Sequence, residues 1–67
     1  MYHCHFTQRG RVVLGKNLEV DSLPDAVTAG HRILREIAHS QDLDGFEIWE
    51  DANLLYASAG QRHHASN

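Results

Sequence analysis

The chain has 67 residues, 42% of them hydrophobic and 22% charged, with six basic and nine acidic side chains for a formal charge of −3. A chain this short buries only about 60% of its unfolded surface, enough for one thin core, which excludes a second domain and a large enclosed active site. The acidic balance argues against a dedicated binder of nucleic acid or anionic membrane, which needs Lys and Arg to neutralise phosphate, although protonating the six histidines would reverse the sign of the charge.

From Tyr2 to Thr7 the residues alternate, Tyr2, Cys4 and Phe6 on one side and His3, His5 and Thr7 on the other, the two-residue period of a half-buried strand. Gln8, Arg9 and Gly10 are expected to form a hairpin turn, with Gly10 free to take positive φ. The run Arg11-Val12-Val13-Leu14 then returns as a second strand. Gly15, Lys16 and Asn17 interrupt that run, so a bend is expected there before the strand resumes weakly through Leu18, Glu19 and Val20.

Ser22, ahead of Leu23-Pro24-Asp25, marks the start of a helix. Its hydroxyl can accept from the free amides of the first turn, a cap worth about 1 kcal/mol. Pro24 lacks a proton where none is needed, and the carboxylate of Asp25 sits near the positive helix end. Leu23, Val27, Gly30, Leu34 and Ile37 recur at three- and four-residue steps, joined by Ala26, Ile33 and Ala38, and define an apolar stripe. Gly30 in that stripe costs about 1 kcal/mol of helix propensity relative to alanine, so its expected use is close approach of helix to sheet.

A polar exit loop over Ser40–Gly45 leads to the alternating segment Phe46–Glu50, a turn at Asp51-Ala52-Asn53, and a fourth strand over Leu54–Ser58. The result is a single α+β domain over residues 1–59, a two-layer ββαββ unit with one amphipathic helix on a mostly antiparallel four-stranded sheet. Its expected core is Tyr2, Cys4, Phe6, Val12, Leu14, Val20, Leu23, Val27, Leu34, Ile37, Phe46, Ile48, Leu54 and Tyr56. Residues 60–67 have no apolar period and are expected to fray.

The lone cysteine excludes an intramolecular disulfide, which a secreted domain of this size would usually need, so a reducing cytoplasm is expected. No stretch approaches the roughly 18 apolar residues of a membrane span, and Met1–Phe6 lacks the charged start and apolar run of a signal peptide, so folded material is expected from the first residues.

The opening strand Tyr2-His3-Cys4-His5-Phe6, the helix entry from Leu18 to Ala26 and the closing hairpin from Phe46 to Leu54 together resemble a group of short bacterial domains of unknown function, common in rhizobial-type genomes. The resemblance covers about residues 2 to 58; it implies a fold and no activity. A weaker similarity, to HicB-like antitoxins, rests on a hairpin followed by a helix beginning Leu23-Pro24-Asp25-Ala26.

His3 and His5 share one side of the first strand, but two ligands do not make a metal site, and Cys4 points to the opposite side of a regular strand, so no metal is assigned. Cys4 as a nucleophile would need hydrogen-bond contact with a base, which alternation opposes; a buried small hydrophobe is the better reading. Asp42, Asp44, Glu47, Glu50 and Asp51 read as solvating charge, and His63-His64 receives no role. No catalytic residue and no cofactor is expected, and the chain is not read as an enzyme.

The informative surface is the sheet face away from the helix. With Phe46, Ile48, Leu54 and Tyr56 inward, Glu47, Trp49, Leu55 and Ala57 lie outward beside Val13, His3 and His5, and an adjoining apolar group containing tryptophan marks a contact surface. The leading expectation is an interaction module that self-associates as a homodimer, or binds another protein, through this face or a sheet edge. A nucleic-acid-associated or antitoxin-like regulator, stacking bases on Trp49, His3 and His5, is the alternative, weakened by too few basic residues.

Overall fold

Alternation along β1 (Tyr2–Gln8) and β3 (Gly45–Glu50) places Cys4, Phe6, Phe46 and Ile48 on one side of an antiparallel pair, each with no solvent exposure. β2 (Arg11–Leu18) adds outside β1 and β4 (Asn53–Ala57) outside β3, giving one open antiparallel sheet in the order β2-β1-β3-β4. The computed structural model describes residues 1–58; the segment expected to fray, with His63 and His64, lies outside them, as does residue 59.

Helix α1 (Leu23–Ile37) crosses the buried side of the sheet. Ser22, in extended conformation, caps it by accepting from the Asp25 amide at 3.3 Å, and the chain leaves through Ala38, whose amide donates to the Leu34 carbonyl. The buried helix residues are the small ones, Ala26, Ala29 and Gly30, while Leu23, Val27, Ile33, Leu34 and Ile37 flank them half-buried. Small side chains under the axis let helix and sheet approach closely, and larger ones seal the rim.

Both hairpins turn on two residues, and each begins with a non-glycine residue in the left-handed region, Arg9 (φ 55°) and Asp51 (φ 54°). Gly10 follows Arg9 at φ 82°, and positive φ at both central positions matches the right-handed twist of the strands.

The structure corrects the sequence reading in three places. The second strand is continuous to Leu18 and stops there, without a bend at Gly15–Asn17, because Gly15, Lys16 and Asn17 keep regular ladder partners in His5, Cys4 and His3. The irregularity sits earlier: Phe6 pairs with Leu14 and Thr7 with Val12, so Val13 is an extra residue, a β-bulge. In the same way Ile48 pairs with Tyr56 and Trp49 with Leu54, leaving Leu55 extra.

These bulges remove Val12 and Leu54 from the expected core, where they are 53% and 48% exposed. Each pairs with a residue of the uncovered face, Val12 with Thr7 and Leu54 with Trp49. Leu18, Ala26 and Ala29 fill the buried set instead.

The two bulged hairpins correspond. An approximate two-fold normal to the sheet, between the cross-strand partners His5 and Glu47, carries Thr7 onto Trp49, Arg9 onto Asp51 and the doublet Val12-Val13 onto Leu54-Leu55.

Candidate functional site

The face turned away from the helix is built from all four strands. β1 contributes His3 and His5, and β3 contributes Glu47 and Trp49 as their direct partners, His3 opposite Trp49 and His5 opposite Glu47. β2 sets Asn17 and Gly15 beside the two histidines, and β4 sets Ala57 beside Glu47.

Polar groups in the middle of this face satisfy one another. The Trp49 indole N–H donates to Glu47 Oε1 at 2.9 Å, which fixes both side chains across the i, i+2 step of a strand. His3 Nδ1 lies 2.6 Å from Asn17 Oδ1, and in the tautomer with the proton on Nδ1 the imidazole donates to that amide oxygen. His5 tilts against the indole, ring centroids 5.8 Å apart at 36°, and on its other side meets glycine at position 15, where a side chain would otherwise stand.

The apolar groups lie at two corners. Counting along β2 from its partners, Val12 (opposite Thr7) and Val13 (two residues before Gly15) both belong to the open side, since a bulge places two residues against one. Leu54 (opposite Trp49) and Leu55 (two residues before Ala57) do the same on β4. Val12, Val13, Leu54 and Leu55 are 53%, 48%, 48% and 39% exposed, and apart from Met1 they are the exposed large hydrophobic side chains among the described residues.

Of the residues singled out from sequence, the structure therefore gathers His3, His5, Trp49, Val13 and Leu55 on one face. Sequence reasoning set Glu47 outward beside Trp49 but missed Val12, Leu54 and Asn17 as members of it. The bond between Glu47 and the Trp49 indole could have been found from their i, i+2 spacing; the bulged pair Val12 and Leu54 had no local signal.

No protein-family model, no curated protein and no solved structure matches the chain.

Cys4 stands on the helix side, with no exposure, and burial pushes its thiol up to about 12, so the thiolate needed of a nucleophile is scarce at neutral pH. Asp44, read as solvating charge, is instead a structural acceptor: it takes the Thr7 hydroxyl at 3.1 Å on Oδ1 and the Arg9 amide at 2.7 Å on Oδ2, and its own amide donates to the Thr7 carbonyl. His31, unremarked in the sequence, lies edge-on to Phe46 with ring centroids 4.9 Å apart, extending the helix–sheet contact at its margin. Among the described residues no three of His, Cys, Asp and Glu are grouped to hold a metal ion. No helix among them is long and apolar enough to cross a membrane.

Proposed function

We propose that the protein is a small cytoplasmic interaction module, without catalytic activity, that self-associates through the open face of its sheet. The observation that carries this reading is the placement of Val12, Val13, Leu54 and Leu55 together with Trp49 on the one sheet face that the helix leaves uncovered. Scattered exposed aliphatics mean little, but aliphatics that share a face with a tryptophan form the kind of apolar patch used for protein contact. A thin core makes the gain large in proportion: burying apolar surface returns about 25 cal/mol per Å², against a domain stability on the order of 5–15 kcal/mol. The single, buried Cys4 supports a reducing compartment.

The nucleic-acid alternative is weighed down by Glu47. Its carboxylate occupies the middle of the face, bonded to the very indole on which a base would stack, and a fixed anion there opposes a phosphate chain.

Sedimentation equilibrium from low to high micromolar concentration tests the proposal. Reversible self-association is expected, weakened in Val13→Asp and Leu55→Asp variants whose circular dichroism and unfolding midpoint stay close to the parent's. A stable monomer at high micromolar concentration overturns it, and salt-sensitive binding of single-stranded RNA by that monomer would favour the alternative.

A further inference from the structure

We infer that the occupant of the open face is a second copy of this chain, seated with its strands crossing those of the first at about 90°, so that the two bulged aliphatic corners of one copy lie on those of the other. This rests on the self-association proposed above and adds its geometry.

The placement of the corners carries the inference. The Val12-Val13 bulge lies on the outer strand β2 at the level of Thr7, and the Leu54-Leu55 bulge on the opposite outer strand β4 at the level of the His3 and Trp49 pair. Strands about 4.8 Å apart separate β2 from β4 by about 14 Å, and the four-residue step from Thr7 to His3 covers about the same distance along the strands. A line joining the aliphatic corners therefore runs at about 45° to the strands. Rotating a copy by a half-turn about that diagonal, or about its in-plane perpendicular, lays corners on corners and turns the strand direction through about 90°.

Three further observations favour this arrangement. Bulges sharpen strand twist, which in crossed sheets brings one diagonal pair of corners together and splays the other. The splayed diagonal here ends in Asn17, hydrogen-bonded to His3, and in Ala57, the small cross-strand partner of Glu47, so opening it uncovers no large apolar side chain. The hairpin-to-hairpin correspondence makes the two apolar corners equivalents, so either half-turn sets an apolar corner against an apolar corner. A footprint of four strands by about six residues gives on the order of 1,000 Å² buried in total, the lower limit of specific interfaces.

The experiment is isotope-filtered NMR on a mixture of labelled and unlabelled full chain, alongside sedimentation of Val13→Asp, Leu55→Asp and, as an edge control, Lys16→Glu. Crossed seating predicts contacts between copies from the methyls of Val12, Val13, Leu54 and Leu55 and from the Trp49 indole. It also predicts association weakened about tenfold or more by either aspartate and little changed by Lys16→Glu. Association with contacts between copies running along the β2 backbone instead, and sensitivity confined to Lys16→Glu, overturns the crossed geometry while leaving self-association in place. A monomer throughout overturns both.

Discussion

Gly30 passes so close over the ring of Phe46 that a β-carbon at position 30 would stand 2.5 Å from Phe46 Cε2 and 2.7 Å from Cδ2. The ring has nowhere to retreat: it is fully buried, with Phe6, Tyr56 and His31 against it. Helix propensity alone would make Gly30→Ala stabilising by about 1 kcal/mol. Overpacking a rigid core costs about 1–3 kcal/mol and wins here, so the variant is expected to lower the urea midpoint. A raised midpoint would show that the helix can lift from the sheet without loss.

The Asp44 carboxylate ties the entry of β3 to the end of β1, through Thr7, 2% exposed, and the first turn. Asp44→Ala leaves the buried Thr7 hydroxyl without this acceptor and should cost about 1–3 kcal/mol. Thr7→Val removes the donor too, so the double variant should lose less than the sum of the singles. A thermodynamic cycle by denaturant unfolding gives that coupling, and strict additivity would show the contact to be energetically empty.

Much of this fold was legible locally. The period of Tyr2–Thr7, the Ser22 cap and the glycine inside the helix stripe each carry their own physical signature, and the observed β1, helix start and Gly30 contact follow from them. The bulges were not legible, because Val12-Val13 and Leu54-Leu55 are apolar doublets that read equally well with either member facing in. Only the pairing with Thr7 and Trp49 shows that both members of each doublet stay on the open side. Asp44 was hidden for the same reason, since its partners lie at the far end of the chain.

Cys4 gives the protein an alkaline limit. Its thiol moves from an ordinary 9.0 to about 12 on folding because burial disfavours the thiolate. The folded state thus holds its proton more tightly than the unfolded chain does. That contribution is complete below about pH 9 and falls as pH rises toward 12, at up to about 1.4 kcal/mol per pH unit. Unfolding free energy measured from pH 7 to 10.5 should drop more steeply in the parent than in Cys4→Ala, whatever cavity cost the alanine brings. Parallel profiles would mean that the thiol ionises freely in the native state, and rapid labelling by a thiol reagent would agree.

The first hairpin carries removable strain. Arg9 adopts φ 55° with an exposed side chain, and its backbone amide, not its guanidinium, reaches Asp44. A left-handed conformation costs a residue with an ordinary β-carbon about 1–2 kcal/mol, and asparagine much less. Arg9→Asn also creates the Asn-Gly pair that a two-residue hairpin favours. It should therefore raise stability by about 0.5–1 kcal/mol with the urea m-value unchanged. Asp51 occupies the matching position in the second hairpin at φ 54°, but aspartate already tolerates that conformation, so Asp51→Asn should change stability by less than about 0.5 kcal/mol. The contrast between two positions of like φ is the test: equal gains at both would show asparagine favoured there whichever residue it replaces, and no gain at Arg9 would mean that its side chain contributes contacts that offset the strained backbone.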